Sequence, residues 1–131
     1  MVLVDGQGLP LGVYLSSASP GESTLAEVTV EARVTNKKPR KIIADKGYDA
    51  KPLWQRFRKY KIDLIAPHRR NRKERFQDGR KLRRYRHRWI VERTNAWLFN
   101  YRRLVVRYDH KIEHFRAFVH LACAMIVLRR F

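Results

Sequence analysis

Cysteine is nearly missing from this chain: Cys123 is the single one, which excludes an internal disulfide and fits a reducing compartment. Long apolar runs are missing as well. The longest, residues 118–128, is 11 residues with a histidine inside it, against the roughly 20 apolar residues that a bilayer-spanning helix needs. Nothing at the N-terminus resembles a secretory signal. These absences predict a cytoplasmic protein without a membrane partner. Acidic residues are scarce too, 12 Asp+Glu against 30 Lys+Arg, a balance that predicts attraction to polyanions and strongly salt-dependent binding.

What is present is one domain's worth of chain, 131 residues, with 44% hydrophobic residues to form a core. The net charge of +18 is unevenly spread. Residues 1–66 hold 11 Lys+Arg and 7 Asp+Glu, whereas residues 67–131 hold 19 and 5. Within residues 69–88 there are 11 basic and 2 acidic positions, a density that favours contact with phosphate over an ordinary solvated face.

Apolar patterning predicts a hairpin over residues 2–16 around Gly6-Gln7-Gly8. Ser19-Pro20-Gly21 should break its second strand. A core over residues 22–66 follows, made of a helix, a strand, a helix and a strand. Thr24 and Glu27 have capping-box spacing for a helix to about Val34. Residues 41–44 read as a buried strand, residues 51–60 as a helix burying Leu53, Trp54, Phe57 and Tyr60, and residues 62–66 as a strand stopped by Pro67. Residues 67–80 read as a basic loop. Residues 81–101 read as one helix with Leu82, Tyr85, Trp89, Glu92, Ala96 and Phe99 on its buried stripe. A last helix over 113–129 should bury Phe115, Phe118, Val119, Ala122, Cys123 and Ile126. The order predicts an α/β fold, a mixed sheet flanked by helices.

Two acids stand out. Asp45 follows the apolar run Ile42-Ile43-Ala44, and ligands of α/β sheets collect beyond the carboxyl ends of strands, so it suits a metal carboxylate. A turn or helix cap is the competing role. Glu92 lies on the apolar stripe, where a buried carboxylate requires a cation. Arg88, one turn earlier, is the simple partner. The spacing Tyr85, Arg88, Glu92 also suits a hydroxyl, a guanidinium and a carboxylate around one phosphate. Trp54, Trp89 and Trp97 read as core rather than base-stacking residues. His110, His114, His120 and Cys123 have zinc-compatible spacings without a CxxC to support them.

The stretches LVDGQGLPL (3–11), IIADKGYD (42–49), IDLIAPHRRN (62–71), YRHRWIVERTNAWLFNYRRL (85–104) and HFRAFVHLACAMIVLRR (114–130) resemble the DDE transposases of bacterial insertion sequences. That resemblance implies an RNase H-like catalytic domain, with Asp45 as the second catalytic aspartate and Glu92 as the catalytic glutamate. It implies two divalent ions, Mg²⁺ or Mn²⁺, held by these carboxylates. It places Tyr85 and Arg88 in the Y-x2-R-x3-E-x6-K signature, whose lysine is replaced by Phe99, with Arg102 or Arg103 to take over its DNA contact. The expected DNA-binding set is Arg69, Arg70, Arg72, Lys73, Arg84, Tyr85, Arg88, Arg102 and Arg103. The family's first aspartate lies on a strand preceding VDGQG. The chain is therefore expected to be a transposase's C-terminal portion, truncated at the N-terminus with the first central strand missing. Asp5, at a hairpin turn, is not expected to replace that aspartate. The implied reaction is metal-dependent cleavage and joining of double-stranded DNA, at transposon ends and target, with this chain inactive alone. Its partners would then include an N-terminal transposase portion or further copies of itself. The rival expectation is a non-catalytic basic protein that binds DNA or RNA.

Overall fold

The computed structural model describes residues 1–17 and 20–130. Ser19 of the expected strand break lies outside them. In chain order the elements are β1 (Val2–Val4), β2 (Pro10–Val13), α1 (Glu22–Glu31), β3 (Lys41–Ile43), α2 (Lys51–Lys59), β4 (Asp63–Ile65), α3 (Gly79–Leu82), α4 (Trp89–Phe99), α5 (Arg102–Val105) and α6 (Ile112–Leu128). Short 3₁₀ helices cover Lys46–Tyr48 and Arg83–Arg88. The expected β-β-α-β-α-β order followed by helices is present. The described strands form two separate two-stranded sheets, however, rather than one mixed sheet. The chain divides into two compact units.

The first unit comprises residues 1–16, 28–34 and 90–131. Its sheet is the antiparallel hairpin β1–β2, with an irregularity between Leu3 and Val4 that twists the pairing. Asp5 organises the connection: its Oδ1 accepts from the backbone N–H groups of Gln7 and Leu9, each at 2.8 Å. Gly8 completes it at φ 88°, a left-handed conformation that favours glycine. The Thr94 hydroxyl donates to Gly8 O at 2.7 Å, and Arg93 Nη2 to Gln7 O at 2.6 Å, so the hairpin is fastened to α4. Leu98, Ala122 and Ile126 form the unit's buried centre, with Val2, Trp97, Tyr101, Leu104 and Cys123 packed against it.

The second unit comprises residues 17–27 and 35–89. Its sheet is the parallel pair β3–β4, in register Lys41–Asp63, Ile42–Leu64 and Ile43–Ile65. Parallel neighbours need a crossover, and α2 provides it, starting with Pro52 in its first turn, where a missing N–H costs nothing. Leu53 and Phe57 of α2 are buried, as are Ile62, Leu64, Ile65 and Ala66. Tyr60, expected on the buried face, is 55% exposed, because it is the helix's C-cap and the helical period ends before it.

Two other expectations are corrected. The helix at Thr24 starts earlier, at Glu22, and the Thr24 hydroxyl bonds back to Gly21 O at 2.6 Å. Glu27 pairs with Arg56 Nε at 2.8 Å instead of closing a capping box. The single helix over residues 81–101 is three pieces, α3, the 3₁₀ segment and α4. A 3₁₀ turn holds three residues rather than 3.6, so the stripe counted through it is rotated. Trp89 and Phe99 end 51% and 64% exposed, and α4 buries Thr94 and Leu98 in their place. The last helix agrees closely: Val119, Ala122 and Ile126 are its buried residues.

Candidate nucleic-acid site

Asp45 stands where β3 gives way to a turn. It is the N-cap of the 3₁₀ helix Lys46–Tyr48, with Oδ1 accepting from Gly47 N at 2.8 Å. That is the cap role read as the alternative to a metal carboxylate; its other oxygen leaves acceptor capacity. Four residues on lies Asp49, which local sequence does not mark as buried. Its side chain is 0% exposed. Oδ1 accepts from His68 Nδ1 at 3.0 Å and Oδ2 from Arg69 N at 2.8 Å. Arg72 Nε stands 3.4 Å from Oδ2, an ion pair without hydrogen-bond alignment.

His68 in turn accepts from Gln77 N through Nε2 at 3.4 Å, and Gln77 Oε1 accepts from Ala66 N at 3.2 Å. Phe76 packs edge-on against His68 at 4.8 Å and against Trp54 at 5.6 Å, with the Arg72 guanidinium 4.9 Å from its ring. The segment read as a basic loop is therefore pinned at both ends by a buried carboxylate, an imidazole and an aromatic ring. Asp49 in ADKGYD, His68 directly after the strand-ending proline and a lone Phe76 in a charged run were the signals that could have found it.

Pinning sorts the expected DNA contacts. Arg69 reaches back to Lys46 O at 3.3 Å and Gly47 O at 3.2 Å, so it braces the Asp45 turn. Arg72 is committed to Asp49. Arg70, Lys73 and Arg84 are exposed. Tyr85 and Arg88 do meet, with Arg88 Nη1 donating to the Tyr85 hydroxyl at 2.7 Å, because residues three apart eclipse on a 3₁₀ helix. These residues belong to the second unit. In the first unit Arg102 and Arg103 lie exposed on α5 and, with Tyr108, line an open recess of about 490 Å³. Arg103 also packs over Phe118 at 5.0 Å.

Glu92 is exposed rather than buried. It sits in the first turn of α4, which continues directly from the 3₁₀ segment. Asp45 and Glu92 thus belong to different units. Among the described residues no group of three or more His, Cys, Asp or Glu stands placed to hold a metal ion. Among them, too, no helix is long and apolar enough to cross a membrane.

A parallel strand pair joined by a crossover helix, an acid closing the first of those strands and a braced run of arginines define an α/β protein with a strongly basic face. The comparisons make this specific. Residues 1–128 match the family model described as "Transposase DDE domain"; the chain belongs to that family. It is also 30% identical, over 133 aligned positions covering 95% of its length, to a Burkholderia cepacia protein provisionally named a transposase for insertion sequence element IS402. The chain spans 60% of the length of that relative. No solved structure matches it.

Proposed function

We propose that this chain acts in DNA transposition, as part of an RNase H-like DDE catalytic domain whose immediate task is to hold DNA phosphodiesters. The observation that carries the reading is the Asp49 clamp. It fixes a basic segment beside the Asp45 turn and leaves Arg70, Lys73 and Arg84 exposed. In the proposed assignment Asp45 and Glu92 are the carboxylates of the reaction centre, and Tyr85 with Arg88 presents a hydroxyl and a guanidinium to one phosphate. Transposon ends and target DNA are the proposed partners, with cleavage followed by joining as the reaction of the assembled transposase.

Divalent metal is the cofactor that the resemblance implies. Asp45 and Glu92 would hold such an ion only loosely, since no group of three or more His, Cys, Asp or Glu is formed among the described residues. The isolated chain is accordingly expected to bind DNA without cutting it. Asp45's cap bond to Gly47 N is what favours the rival, a non-catalytic basic binder. Gel-shift titration with duplex DNA, with and without Mg²⁺, separates the two. Binding that tightens with Mg²⁺, and loses that response in Asp45→Asn and Glu92→Gln, supports the DDE assignment. Binding indifferent to metal in all three proteins would sink it.

A further inference from the structure

Among the described residues Lys61 is the non-glycine residue in a left-handed backbone conformation, at φ 60°. It follows α2, which closes with Ile62 N–H donating to Phe57 O at 2.9 Å and Lys61 N–H to Arg58 O at 3.0 Å. This is the six-to-one and five-to-two pairing of a Schellman motif, in which glycine is the usual residue at Lys61's place. A side chain there is strained, and strain of this kind concentrates at functional sites.

Lys61 lines a recess of about 350 Å³ with Trp54, Arg58, Ile62, Asp63 and Lys81. The Arg58 guanidinium lies 5.0 Å from the centre of the Trp54 ring. Lys81 Nζ is bonded to Asp63, at 2.9 Å from Oδ2 and 3.0 Å from Oδ1. Three cations against one carboxylate leave the recess positive, and a half-buried indole forms its apolar part. A ligand complementary to it is an anion joined to a flat ring.

We propose that this recess takes one unpaired nucleotide of a DNA strand, its phosphate among Arg58, Lys61 and Lys81 and its base against Trp54. In a duplex the faces of the bases are covered by their neighbours; a single strand exposes them for stacking on an aromatic side chain. Arg58 is exposed, so its guanidinium is able to leave the indole face for the phosphate. The assignment rests on the DNA-binding reading above and adds the strand state that the second unit prefers.

Fluorescence anisotropy with a labelled blunt duplex, and with the same duplex carrying a short single-stranded overhang, tests it. The overhang should tighten binding by about tenfold, as one base–aromatic stack does. Lys61→Gly should shrink that overhang preference while raising the thermal midpoint, a pairing of signs that a merely structural lysine does not produce. Trp54→Leu should abolish the preference, bringing the ratio of overhang to blunt-duplex affinity down to about one. Equal binding of the two DNAs by the native protein, or an overhang preference that survives both substitutions, would overturn the inference while leaving duplex binding standing. Absence of binding to either DNA would overturn it together with the reading on which it rests.

Discussion

Asp49 takes three partners from residues 68–72 onto one buried carboxylate. Burying a charge is tolerable only when its lone pairs are satisfied, and removing the charge strands the groups that served it. Asp49→Asn keeps the shape but turns one acceptor into a donor facing a donor. It should cost about 3 kcal/mol, read as a shift in the urea midpoint, and a loss below about 0.5 kcal/mol would show that the clamp is ornamental. Thr94 makes a parallel case in the first unit. Its buried hydroxyl donates to Gly8 O at 2.7 Å, so Thr94→Val should cost about 1–2 kcal/mol by leaving that carbonyl unpaired, with little change in volume. Gly8→Ala should fail more severely, since the new methyl would lie 3.0 Å from both Thr94 Oγ1 and an Arg93 nitrogen at a positive φ; thermal denaturation of both variants ranks them. Asp45 and Asp5 were legible in sequence as turn-forming acids because Asx turns are local. Asp49 was not, because its partners lie 19 to 23 positions away.

Helices show where periodicity holds and where it slips. Within α6 the three-and-four spacing runs uninterrupted from Ile112 to Leu128, and the buried residues fall where counting puts them. Across residues 79–99 the same counting passes through a 3₁₀ segment, and each 3₁₀ turn displaces the stripe relative to an α-helix. Glu92 was carried to the wrong side by that displacement. On α6, Cys123 offers a titration check. Burial pushes its thiol above the ordinary 9.0, so the folded state holds the proton more tightly than the unfolded chain does. The stability it contributes is therefore present below about 9.0 and is lost as pH rises through the folded value. Alkylation by iodoacetamide should show its inflection at higher pH in the native protein than in urea. Coincident inflections would place the thiol in water.

At the scale of the whole molecule the net charge of +18 makes DNA affinity a question of counterion release. Neutralising Arg70, Lys73 and Arg84 together should weaken binding to all sequences alike. It should also flatten the plot of log affinity against log salt, by about 0.9 for each phosphate that the protein no longer neutralises. A weakening confined to one sequence would point to base readout instead. A supercoiled plasmid with Mg²⁺ or Mn²⁺ should remain uncut by the isolated chain. Cleavage that disappears in Glu92→Gln would show that the carboxylates present suffice.

Composition, local turn chemistry and short motifs acted through near neighbours, so the chain's own letters determined its element order, its basic character and its family. They also determined the cap at Asp45 and the core of α6. Tertiary structure alone decided the rest: the separation of the strands into two pairs, the buried place of Asp49, the exposure of Glu92 and the conversion of a charged loop into a braced one. The reason is physical. Hydrogen bonds, ion pairs and ring contacts between residues some twenty positions apart leave no period in a sequence, and one 3₁₀ turn is enough to rotate every face counted beyond it.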